Sequence, residues 1–124
     1  MTEPTIADKF NTVDGLNPAT VEAGGLLIPW ELLDELGVSV DNRDKADAIA
    51  AALVKQIALA YPVANREADF NISVTGLIER GTNDVQFDND GNQFDFDNFT
   101  ATINLYRPSE AVELSPNNFV TPTT

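Results

Sequence analysis

Residues 85–96 read VQFDNDGNQFDF, and the way this stretch turns decides the fold. Asp90 and Gly91 form an Asp-Gly pair, a preferred centre for a two-residue hairpin turn in which both positions take positive φ. With that turn Phe87 opposes Phe94, Gln86 opposes Asp95 and Val85 opposes Phe96. Apolar then meets apolar and no carboxylate directly opposes another. Such cross-strand pairs contribute roughly 0.2–1 kcal/mol each. A one-residue slip would send each apolar set to the other face. The stretch therefore predicts two antiparallel strands, about 85–89 and 92–106, hinged at Asp90–Gly91.

A calcium loop is the competing reading. An EF-hand loop places oxygen ligands at positions one, three, five and twelve and glycine at six. With Gly91 sixth, Asp88 and Asp90 fall at three and five. The first position is then Gln86, the twelfth is Asp97 rather than glutamate, and no helices flank the segment. The hairpin register nevertheless puts Asp88, Asp90, Asp95 and Asp97 on one face, where a cation would relieve their repulsion. They are weak candidates for an opportunistic Ca2+ ion, and no dedicated cofactor is expected.

The period of two extends outward. Phe70, Ile72, Val74 and Ile78 alternate with Asn71, Ser73, Thr75 and Glu79, which predicts a half-buried strand over about 70–80. GTND at 81–84 turns the chain. Within 92–106 the apolar face changes parity: Phe94 and Phe96 are even-numbered, whereas Phe99, Ala101, Ile103 and Leu105 are odd. A bulge or a bend from one sheet to another near Asn98 would produce that change. Toward the N-terminus the period becomes helical. Ala46, Ile49, Ala50, Leu53, Ile57 and Ala60 fall at 3.6-residue spacing, with Asp41 as cap and Pro62 as stop, predicting a helix over 42–60 covered on more than one side. A shorter helix is expected over 29–36, opened by Pro29 and closed by Gly37. NPATVEAGG at 17–25 reads as one or two helical turns capped by Asn17. The fold class is α+β: one alanine-rich helix on an antiparallel sheet or meander. Residues 1–28 form an N-terminal arm, 29–107 the body and 108–124 a C-terminal tail.

Composition narrows the chemistry. The chain has no histidine and no cysteine, so the usual general base near neutral pH, thiolate chemistry and disulfides are excluded. Any metal must be held by oxygen. The net charge is −13, from 20 acids against 7 bases, and no basic stripe exists to grip nucleic acid or an anionic membrane. The longest apolar run, 48–64, is broken by Lys55 and Gln56 and stopped by Pro62, so no membrane span is expected. MTEPTIADKF has neither a basic n-region nor an apolar h-region, which predicts a chain not secreted by a signal peptide. Arg66, Arg80 and Arg107 lie at the edges of predicted strands among acids, and local pairing is the expected role for them. A carboxylate pair acting on glycans stands as an enzymatic alternative. One tryptophan and two tyrosines are a thin supply for a sugar cleft, and no enzymatic activity is expected.

The alanine-rich helix 42–60, the strands 70–80 and 92–106 ending in INLYRP, and the two arms together resemble small structural proteins of tailed bacteriophages. These are head-decoration (cement) proteins and tail or neck components. The resemblance implies a non-enzymatic, multi-copy role in a virion or a cytoplasmic assembly. It also implies partners that are protein subunits of the same assembly, as a homo-oligomer, a major structural protein, or both. The apolar residues of the arms and the single tryptophan, which reads as core or interface, are the candidate contact anchors: Ile6, Phe10, Val13, Leu16, Trp30, Phe119 and Val120. A cation-dependent binding module using the aspartate face is a further alternative.

Overall fold

The computed structural model describes residues 4–62, 72–76, 82–106 and 115–119. Its elements, in chain order, are α1 (Ile6–Lys9), β1 (Thr20–Glu22), β2 (Gly25–Leu27), α2 (Trp30–Glu35), α3 (Ala46–Ala60), β3 (Ile72–Thr75), β4 (Thr82–Phe87), β5 (Gln93–Asn98) and β6 (Thr102–Leu105). Short 3-10 turns span Val40–Asn42 and Pro116–Phe119. The class is α+β, with one long helix and antiparallel strands. Among the described residues the strands pair as three two-stranded antiparallel ladders, β1–β2, β3–β6 and β4–β5.

The core forms where two helices meet. Leu32, Leu33 and Leu36 from the α2 region, Val38 just after it and Ala52 of α3 are buried together, with Phe10, Ile28, Ala48 and Ile49 packed against them. α2 ends as its sequence dictates. Gly37 takes φ +104 and donates its N–H to the Asp34 carbonyl at 3.0 Å, while Val38 N–H reaches the Leu33 carbonyl at 3.0 Å. This pair of bonds closes a helix through a left-handed residue, and the apolar contact across it is Leu33 with Val38. Helix α3 begins at Ala46, where its apolar spacing starts and four residues later than Asp41 as cap predicts. Lys45, not Asp41, holds the cap position, without a side-chain cap bond. The intervening residues turn in 3-10 fashion, and Arg43 is drawn away from the helix onto Asp34 and the Trp30 ring.

Among the described residues one side of α3 stays open to solvent. Ala50, Ala51, Val54 and Leu59 are exposed. The alanines supply helix propensity there rather than burial. The buried stripe instead runs through Ala52 and Gln56, although Gln56 reads from the sequence as part of a wet edge. Its Nε2 donates to the Lys9 carbonyl at 2.6 Å. Gln56→Leu should therefore lower the free energy of unfolding in urea by about 1–3 kcal/mol, because the part-buried Lys9 carbonyl loses its donor.

The N-terminal residues are part of the body, not an extended arm. Thr5 and Asp8 form a reciprocal capping box on α1. Lys9 Nζ donates to the Ala60 carbonyl at 2.9 Å, at the negative end of α3, and lies 4.7 Å over the Tyr61 ring. Val13 N–H donates to Glu35 Oε1 at 2.7 Å. Thr12 and Ala19 are buried, and Ala19 N–H donates to the Phe10 carbonyl at 2.6 Å. The helical reading of 17–25 is also corrected. Thr20↔Leu27, Val21↔Leu26 and Glu22↔Gly25 pair as a hairpin across Ala23–Gly24. The β-branched Thr20 and Val21 suit a strand, and two successive glycines weaken a helix.

β3 joins the helical body through Tyr61, whose carbonyl accepts from Val74 N–H at 2.8 Å, and Val74 is buried. β6 pairs with β3 and β5 with β4. The parity change in the sequence is thus a real break: residues 99–101 carry the chain from one ladder to the next. The anticipated strand residues 70, 71 and 77–80 lie outside the described residues, as do Arg66, Arg80, Arg107 and Val120.

Candidate interaction surface

The β4–β5 hairpin is exposed on both faces, from Val85 through Phe99. Its turn differs from the two-residue form. Asp88 N–H donates to the Asn92 carbonyl at 3.0 Å and Gly91 N–H to the Asp88 carbonyl at 3.1 Å, so the loop holds three residues, Asn89, Asp90 and Gly91. Such a loop is a type I turn followed by one left-handed residue. Gly91 takes that conformation at φ +83, and no described non-glycine residue has positive φ. The Asp88 carboxylate selects this turn. Oδ1 accepts from Asp90 N–H at 2.9 Å and Asn92 N–H at 2.8 Å, and Oδ2 accepts from Asn92 Nδ2 at 3.0 Å. A short acidic side chain that satisfies turn amides favours this geometry over one that would force Asp90 to positive φ.

The extra loop residue shifts the register by one. Phe87 faces Gln93, Gln86 faces Phe94, Val85 faces Asp95 and Asp84 faces Phe96. Directly opposed residues share a face, so Val85 and Phe87 lie on one side with Asp95 and Asp97. Phe94 and Phe96 lie on the other, their ring centroids 6.4 Å apart and tilted by 31°. The expected gathering of Asp88, Asp90, Asp95 and Asp97 on one face is corrected accordingly. Asp88 and Asp90 sit in the turn region, Asp88 is committed to turn amides, and Asp95 accepts from Gln93 Nε2 at 3.1 Å. Among the described residues no three acidic side chains come together as metal ligands would.

The hydrogen bonds from the Asn92 side chain and backbone, then from Asp90 and Gly91 amides, hold the Asp88 carboxyl below its ordinary value of 3.8. A depressed value stabilises the turn above pH 3.8 and loses that support as the pH falls through the lower, folded value. Amide exchange at Asp90 and Asn92 should therefore stay slow down to about pH 4 and quicken only below it. Asp88→Asn should remove this acid-side transition. Asp8, held by Thr5, and Asp14, held by Thr12 and then Leu16, are displaced in the same downward direction.

The other anchors are scattered. Val13 and Leu16 are 90% and 74% exposed, on a loop whose backbone is pinned by Thr12 Oγ1 and Asp14. Val21 and Leu26, which the sequence did not single out, share one face of β1–β2 and are 76% and 52% exposed. Ile6 and Phe119 are half-buried, and Phe10 belongs to the core. Trp30 is half-exposed, with the Arg43 guanidinium 4.7 Å from its ring. Arg43 is in turn bonded to Asp34 at 3.1 Å. A cleft of about 370 Å³ opens between the N-terminal segment and α3, lined among others by Lys9, Val13, Glu35, Lys55 and Leu59. Lys9 and Glu35 there are occupied in holding the fold.

No helix among the described residues is long and apolar enough to cross a membrane. Comparison with protein-family models, curated proteins and solved structures found no match.

Proposed function

We propose that this chain is a non-enzymatic structural subunit of a large multi-copy particle, of the cement, tail or neck type found in tailed bacteriophages. One observation carries the reading. Among the described residues seven hydrophobic side chains are buried, whereas seventeen large ones are exposed. Scattered exposed apolar residues are ordinary. Here they outnumber the core, seven of the seventeen lie on two hairpins, β1–β2 and β4–β5, and an isolated two-stranded hairpin is marginal in water. Contacts with neighbouring subunits would supply the missing burial. An obligate interface of this kind buries roughly 2,000 Å² or more.

The test is sedimentation velocity of the full chain over a wide range of concentration. The expected result is reversible self-association that Val21→Ser combined with Leu26→Ser weakens, since both side chains project from the same face of β1–β2. A chain that stays monomeric throughout, with both hairpins fully protected from amide exchange, would overturn the reading. The cation-dependent alternative is addressed by calorimetry with calcium. The expected result is no heat of binding and no shift in melting temperature.

A further inference from the structure

We propose that the β4–β5 hairpin is a plug that enters an apolar cleft rimmed by basic side chains on a different protein chain. This rests on the structural-subunit reading and names the chemistry of one of its partners.

Three features of the hairpin carry the inference. First, exposed apolar side chains stand on both faces, Val85 and Phe87 beside Asp95 and Asp97 on one and Phe94 and Phe96 beside Asp84 on the other. A surface that docks flat needs apolar side chains on one face only. Apolar side chains on both faces of one thin ribbon fit insertion between walls. Second, residues 82–98 contain five aspartates and neither lysine nor arginine. The receiving rim must therefore be basic, because like charges brought together at an interface oppose binding. A second copy fails that requirement: its own hairpin carries the same five aspartates, and the whole chain stands at −13. The cleft between its N-terminal segment and α3 sets Asp8 and Glu35 beside Lys9 and Lys55, so that cleft offers no net positive rim. Third, the tip is pre-shaped. Asp88 fixes the loop through three hydrogen bonds, so little ordering of the turn remains to oppose docking.

The probe is a fluorescently labelled amphipathic peptide of leucine and lysine alone, titrated with the full chain and followed by anisotropy. Two hairpin variants are compared with the parent: Phe94→Ser with Phe96→Ser, and Asp84→Asn with Asp95→Asn and Asp97→Asn. A third variant removes the same number of exposed acids from the body: Glu31→Gln with Asp41→Asn and Asp47→Asn. All the altered side chains except Asp84, which is half-buried, are exposed, and circular dichroism checks that helix content is unchanged. The expected result is a roughly tenfold weaker Kd for both hairpin variants and at most about a twofold change for the body variant. Equal weakening by both aspartate-lowering variants would show that the peptide senses bulk charge, and would overturn the proposal. So would self-association of the parent that the Phe94/Phe96 variant abolishes, because a second copy would then be the occupant. Failure of the structural-subunit reading shows separately, as a parent chain that does not associate in the sedimentation experiment.

Discussion

Replacing Leu32 with alanine is expected to lower the free energy of unfolding by about 2–5 kcal/mol. Leu32 is 2% exposed and is the largest fully buried side chain among the described residues. It sits where α2 meets α3 and the N-terminal segment, so its removal leaves a cavity bounded by three elements. The core around it comprises Leu33, Leu36, Val38 and Ala52, and no other buried leucine among the described residues lies outside that cluster to share the load. A domain of this size has roughly 5–15 kcal/mol in total, and this one holds a small core. Thermal denaturation followed by circular dichroism reads the effect. A shift below about 1 kcal/mol would mean that α2 and α3 are held by something other than this cluster.

Deletion of residues 1–19 should be at least as damaging. If the segment were an adhesive arm, its removal would abolish assembly and leave the body folded. The structure predicts the reverse order. The deletion removes Phe10 from the core and the buried Ala19. It also takes away the Lys9 carbonyl that Gln56 satisfies and the Lys9 ammonium that caps Ala60. The buried faces of Leu32 and Leu36 then meet water at α2, where fully burying such a side chain contributes roughly 1.5–3 kcal/mol. The truncated chain is expected to lose cooperative unfolding altogether. A truncated chain with the parent's melting temperature and a lower sedimentation coefficient would restore the arm reading.

The sequence and the structure agree where the signal is local. Gly37 after a leucine-rich turn stops α2 in both. The change of apolar parity at Asn98 marks the passage of the chain from the β4–β5 ladder to the β3–β6 ladder. The spacing of Ile49, Leu53 and Ile57 finds the body of α3. They part where a local preference has a close competitor. Asp-Gly favours a two-residue turn, but Asp88, three positions before Gly91, offers a carboxylate that draws two backbone amides and the Asn92 side chain into a three-residue loop. That single added residue splits the phenylalanines between two faces and disperses the aspartates. The start of α3 moved for a related reason: Arg43 found Trp30 and Asp34, which lie nine or more residues back in the chain.

The amino-acid sequence by itself determined the α+β class, the acidic and histidine-free chemistry, the stop of α2 at Gly37 and the body of α3. These depend on φ preferences, side-chain spacing and charge, each of which acts within a few residues. The tertiary structure decided the hairpin register, the buried role of Gln56 and the place of residues 4–28 in the body. Those outcomes rest on contacts such as Gln56 with Lys9 and Val13 with Glu35, between residues 22 to 47 positions apart. A carbonyl needing a donor carries no mark in sequence of where that donor will come from.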